Sequence, residues 1–245
     1  MPKLFRVAAA FFIVLFGATS ANAESWTVTS EENYPPYNFN QDGKRTGMDV
    51  EIVEAVLARI DVTPEHRAVP WNRVVNDLDQ NQTDIGFQFV GKPERFEKYN
   101  MAGPHRAGVT VFAVRADSSI AFDRLEDLTG KKVGIVSGFA YTTDFDQAGF
   151  IVKEAATDNL LNLRKLMAGR IDAAIGDLHT LAWLVKQEKI GDKVRFLPRP
   201  LAEVPRYIAF PKPRIEQANR FGKALDELKA DGTIQSIVAK WQAVD

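Results

Sequence analysis

Side chains able to bind a metal or form covalent intermediates are sparse and badly spaced for either task. Histidine occurs three times, at His66, His105 and His179, and cysteine is absent. No His-x-x-x-His pair or cysteine ligand set is present, so neither a metal site nor a cofactor is expected. No Gly-x-Ser-x-Gly elbow or phosphate loop occurs. Aspartate and glutamate are plentiful, which leaves carboxylate acid–base chemistry open on composition. The densest group of polar and aromatic side chains is Glu31-Glu32-Asn33-Tyr34-Pro35-Pro36-Tyr37-Asn38-Phe39, followed by Gly47-Met48-Asp49-Val50-Glu51. Its two prolines fix the backbone and remove donors, so a rigid loop is expected at the carboxyl end of a strand. Aromatic faces there suit a small-molecule pocket in an α/β protein; they suit a cover over the core equally well.

The elements that must hold this loop alternate between strand and helix. Residues 26–30 read as a strand. Met48, Ile52, Val53, Val56, Leu57 and Ile60 recur at helical spacing, predicting a helix over Met48–Arg59. Residues 65–69 form a strand, Pro70-Trp71 opens a helix toward Leu78, and residues 84–87 form another strand. The β-α-β-α-β order implies a mostly parallel sheet with helices on both faces. The pattern restarts after Pro104, with strands at 109–115, 130–136 and 173–175 and helices at 141–147, 159–168 and 180–188. Residues 197–205 carry three prolines and read as a crossing segment. A strand at 207–210 and helices at 215–229 and 233–244 close the chain. Leu78 precedes Asp84 by the same interval that separates Leu166 from Asp172, and each Asp follows a helix and starts a strand. Two similar α/β lobes fit this echo, as does coincidence at a common junction.

The N-terminus reads as a targeting segment. Lys3 and Arg6 precede the apolar run Ala8 to Gly17, and Ala21-Asn22-Ala23 supplies a small-x-small cleavage pattern. Residues 1–23 are therefore expected to be a signal peptide, with the mature chain starting at Glu24. The apolar run is too short to span a bilayer. Without cysteine, an exported chain relies on its core for stability. The formal net charge is −1, and no basic stripe points to nucleic acid or an anionic membrane.

Five segments, in order, resemble the periplasmic solute-binding proteins of polar amino-acid ABC importers, bacterial extracellular solute-binding protein family 3. They are Tyr34-Pro35-Pro36-Tyr37 with Gly47-x-Asp49-Val50-Glu51, Asp84 with Pro93-Glu94-Arg95, and residues 126–134. Gly169-Arg170-Ile171-Asp172-Ala173-Ala174-Ile175-Gly176-Asp177 and residues 224–233 complete the set. The resemblance covers essentially the whole mature chain. It implies the two-lobed type II periplasmic-binding-protein fold, α/β in class, each lobe a mixed, mostly parallel sheet flanked by helices. Residues 24–105 and 204–245 would form lobe 1 and residues 106–203 lobe 2, joined by two crossing strands acting as a hinge. The implied function is capture of a small polar solute between the lobes and delivery to a membrane ABC permease, by a periplasmic monomer without enzymatic activity.

The same resemblance implies the site. Arg95 would clamp a carboxylate, helped by backbone N–H groups at Gly138-Phe139-Ala140, where a helix is expected to begin. Ala140 stands where the family often has threonine, so one hydroxyl contact is missing. Asp177 would meet an ammonium; its competing role is to cap the helix after it. Tyr34 and Trp71 would flank the ligand, Phe89 would narrow the side-chain slot, and Glu31 would lie near its far end. Phe87-Gln88-Phe89-Val90-Gly91-Lys92 replaces a stretch usually rich in Ser, Thr and Gly. Arg73 either meets an acidic ligand group or faces solvent. Two other functions remain on the same fold: a sensing module for a separate membrane receptor, and a dehydratase using a cleft carboxylate.

Overall fold

In the computed structural model, residues 24–242 are described; the expected signal peptide lies outside them. The first half runs β1 (Glu24–Glu31), a β2–β3 hairpin (Phe39–Gln41, Lys44–Thr46), α1 (Met48–Arg59), β4 (Val62–Val69), α2 (Trp71–Asp79), β5 (Ile85–Val90) and α3 (Pro93–Lys98). The chain continues through β6 (Tyr99–Arg115), β7 (Lys132–Val136), α4 (Thr143–Gln147), β8 (Val152–Ala156), α5 (Asn159–Met167), β9 (Ala173–Asp177), α6 (Leu178–Gln187) and β10 (Val194–Phe196). It closes with β11 (Ala202–Pro211), α7 (Ile215–Ala230) and α8 (Thr233–Gln242).

Local chemistry explains several of these elements. The apolar stripe of α1 puts Ile52, Val53, Val56 and Leu57 wholly inside, which is why its periodicity marks the helix so well. Asp42 and Gly43 both take positive φ, 51° and 76°, the conformation that closes a tight hairpin between β2 and β3. The Asp84–Asp172 echo has a physical counterpart. Asp84 receives the Thr27 N–H on Oδ2 at 2.7 Å and donates its own N–H to the Thr27 carbonyl. Asp172 does the same to Lys132, with the carboxylate contact at 2.8 Å. Each carboxylate thus ties the start of its own strand to a neighbouring parallel strand.

The sheet order is β4-β1-β5-β11-β6-β9-β7-β8, with β10 added beside β6. Parallel pairs (β1 with β4 and β5, β7 with β8 and β9) lie at its two ends. Between them β11 and β6 run antiparallel and link two separate cores. One core gathers Trp26, Ile52, Phe87, Phe210, Phe221 and Leu225; on the far side Phe112, Val133, Phe145 and Ile175 form another, extended by Leu163 and Leu181. Two lobes on one continuous sheet, flanked by helices, result.

Several boundaries differ from expectation. Pro104 does not end a segment: β6 passes through it as one strand of 17 residues. The expected separate strand at 207–210 belongs to β11, which starts within the expected crossing segment. Residues 93–98, for which the sequence suggests no helix, form the short helix α3, led by Pro93 at its first turn. No helix starts at Gly138. Gly138 has φ +77° and turns the chain, and α4 waits for Thr142, whose hydroxyl caps it.

Candidate ligand-binding site

A narrow cavity lies where the lobes face each other. Glu31 at the end of β1, Tyr34 from the proline loop, Trp71 at the start of α2, Gln88 and Val90 from β5, and Arg95 from α3 line one side. Thr110 of β6, Phe139, Ala140, Tyr141, Gly176 and Asp177 line the other, with Arg206 of β11 at the hinge strands. The volume is about 20 Å³, room for roughly one water.

The lobes touch directly around it. Tyr37 donates its hydroxyl proton to Asp177 Oδ1 at 2.9 Å. Trp71 Nε1 donates to the Gly138 carbonyl at 3.0 Å, Lys92 pairs with Asp146, and the rings of Phe39 and Trp183 approach to 5.3 Å. Phe139 reaches across the cleft and sits edge-on to both Tyr34 and Trp71, at 5.9 and 5.5 Å.

Asp177 combines both roles weighed for it. It is buried at the junction of β9 and α6, and its Oδ1 accepts the N–H groups of His179 and Thr180 as a helix cap. Its Oδ2 is buried without a partner. Capping therefore consumes one oxygen and leaves the other without a partner. Arg95 lies over the rings of Phe89 and Trp71, at 5.1 and 5.9 Å, and spends one N–H on the Val90 carbonyl at 3.3 Å. It has no carboxylate partner among the described residues. Burial, with the Arg206 charge next, draws its pKa down to about 10, so it stays cationic at neutral pH. Glu31 behaves oppositely: burial first, then the charges of Asp158 and Glu32, push its carboxyl up to about 8. It is therefore predominantly neutral at pH 7.

Bacterial extracellular solute-binding proteins, family 3, share a pattern that matches residues 26–244. The chain belongs to this family. It is similar to the L-cystine-binding protein TcyJ of Escherichia coli (strain K12), 27% identical, with 88% of this chain and 81% of that protein aligned. Similarity extends to the probable amino-acid-binding protein YxeM of Bacillus subtilis (strain 168), 27% identical over 84% of this chain and 79% of the relative. The crystal structure of a histidine kinase sensor domain with similarity to periplasmic binding proteins superposes with a TM-score of 0.83 at 24% identity. That superposition covers 89% of this chain and 95% of that one; it speaks for the fold alone.

Within this solute-binding protein, seven of the nine residues expected at the site line one cavity: Glu31, Tyr34, Trp71, Arg95, Phe139, Ala140 and Asp177. Phe89 and Gly138 do not. Phe89 is wholly buried behind Trp71, at 4.8 Å between rings, so it supports Trp71 and Arg95 and does not narrow the slot. Gly138 presents its carbonyl to Trp71, and the Phe139 N–H is already given to the Val136 carbonyl at 3.1 Å. The turn at 138–140 is no helix N-terminus, and the Phe139 amide is not free for an anion. Arg73 is exposed on α2, pairs with the buried Asp77 at 2.6 Å and does not line the cavity. The residues missed are Gln88, Val90, Thr110, Tyr141, Gly176 and Arg206. Gln88 carries a signal only the backbone reveals, a φ of +74° within a strand. Among the described residues, no cluster of side chains suits a metal ion.

Proposed function

We propose that this protein is the periplasmic solute-binding component of an ABC importer, and that it captures a small amino acid or related carboxylate between its lobes. One observation carries the reading: Arg95 without a carboxylate partner and Asp177 with an unpartnered oxygen face the same cavity. A planar guanidinium can make two parallel hydrogen bonds to a carboxylate, and the free Asp177 oxygen suits an ammonium. Buried charges without partners are costly, and a zwitterion would satisfy both at once. Family membership supports the reading, as do relatives named for binding cystine and amino acids.

In this reading, residues 24–105 and 204–245 form one lobe and residues 106–203 the other, and flexing of β6 and β11 opens and closes the cleft. Residues 1–23 direct export, the protein acts as a monomer, and a membrane permease receives the loaded form. Capture proceeds without turnover.

Thermal-shift screening with amino acids, amines and dicarboxylates tests this, because a ligand of the folded state raises apparent stability. The expected hit carries a carboxylate, and Arg95→Gln weakens it by at least about thirtyfold in calorimetry. Unchanged affinity in that variant would remove Arg95 as the clamp. Conversion of the hit to product, followed by mass spectrometry, would replace a binder with an enzyme.

A further inference from the structure

We propose that Arg206 builds a second anion subsite at the hinge-strand side of the cavity, and that the solute is a compact acidic amino acid with a second carboxylate. The inference rests on the reading of Arg95 and Asp177 above and adds the ligand's charge to it.

Arg206 is 8% exposed and lines the cavity, yet its Nε has no hydrogen-bond partner and it forms no ion pair among the described residues. A guanidinium taken out of water needs an anion to offset its lost hydration. Gly108, on the adjoining strand β6, lets charged groups approach its backbone closely. A Cβ there would meet Asp177 Oδ2 at 2.6 Å, Arg206 Nε at 3.2 Å and an Arg106 nitrogen at 3.2 Å. The Asp177 and Arg206 atoms are buried without partners, and so is that Arg106 nitrogen, Nη1. Two donors and an acceptor thus crowd together beside Gly108, and Arg206 also lines the cavity, where a solute can reach it.

Charge counting gives the solute class. The ionisable groups facing the cavity are Arg95, Arg206, Asp177, Glu31, Tyr34 and Tyr141. Burial keeps Glu31 predominantly protonated at neutral pH and raises both tyrosines further above their usual range. Two cations then face one anion. A solute with two carboxylates and one ammonium cancels the excess, a neutral amino acid leaves one cation unmatched, and a basic one adds a third. The narrow space between Tyr34, Trp71, Phe139 and Tyr141 favours a short chain.

Calorimetry on the unaltered protein with L-aspartate, L-glutamate, L-asparagine, L-glutamine and L-arginine tests this. One of the acids is expected to bind at least about tenfold more tightly than its amide. Arg206→Gln should erase that preference while amide binding persists, whereas Arg95→Gln weakens acid and amide together. Amides or arginine binding the unaltered protein as tightly as the acids would overturn the Arg206 subsite and leave carboxylate capture by Arg95 standing. So would an acid preference that survives in Arg206→Gln. Failure of every amino acid in the panel to bind, with dicarboxylates such as succinate also silent, would overturn both readings.

Discussion

Two arginines face each other across the hinge, Arg106 on β6 and Arg206 on β11, paired in register on adjacent antiparallel strands. Arg106 is locked into the fold. It holds Asp49 through two contacts, at 2.6 and 2.9 Å, and its guanidinium lies 3.4 Å from the centre of the Tyr37 ring. His105 adds a contact to the same carboxylate at 3.3 Å. Arg206 has the same residue type and a similar depth, but it forms no ion pair among the described residues. One charge is matched by the protein's own residues and the other is left for a solute. A buried charge marks structure when its partner is built in, and function when it is not.

The sharpest way to break this comparison is to remove each guanidinium in turn. Arg106→Gln leaves Asp49 buried with only His105 beside it and is expected to cost about 3–5 kcal/mol in urea unfolding. Arg206→Gln should fall within about 1 kcal/mol of the parent, or be more stable, because it removes an unmatched charge. Equal losses would erase the distinction. The pH dependence has a definite sign. Burial works against an ionised Asp49, but Arg106 and His105 overcome it and hold this carboxyl well below the usual carboxylate range. Its contribution is fully present above about pH 4 and is lost as pH falls below that. The Arg106→Gln deficit should therefore shrink in acid.

Glu31 provides the next test, since ionised it could balance Arg206. Its folded pKa, about 8, is raised, so its contribution is present below the ordinary glutamate value and lost as pH rises through 8. Glu31→Gln should be more stable than the parent by roughly 2–3 kcal/mol at pH 7 and equal to it near pH 4, read from unfolding curves at both pH values. A gap independent of pH would mean Glu31 is ionised at neutral pH, and the excess positive charge would vanish. The smallest effect belongs to Tyr37→Phe, which deletes the hydroxyl donated to Asp177 and keeps the ring under Arg106. It should cost about 1 kcal/mol in the same unfolding assay.

Much of this was legible in the residues, and the exceptions have physical causes. Helix α1 matches its periodicity residue for residue because its apolar face is wholly buried and uninterrupted. Arg95 and Asp177 stood out because each belongs to a longer run of recognisable spacing. Arg206 carried no such sign: Val204-Pro205-Arg206-Tyr207 reads as a crossing strand, and its isolation from carboxylates exists only in three dimensions. Ser137-Gly138 imitates a helix start, but the left-handed glycine turns the chain and the cap falls at Thr142. The strand Val152–Ala156 was missed because its Lys, Glu and Ala residues suit a half-exposed edge without showing a strand pattern.

The contacts that join the lobes also set a clock. With room for about one water, the cavity admits no amino acid until Tyr37 leaves Asp177, Trp71 leaves Gly138 and Lys92 leaves Asp146. Solute therefore enters this closed form only as fast as the contacts between the lobes give way. However abundant the solute, its uptake into molecules in this form levels off at that rate and cannot rise to the frequency of diffusional encounter.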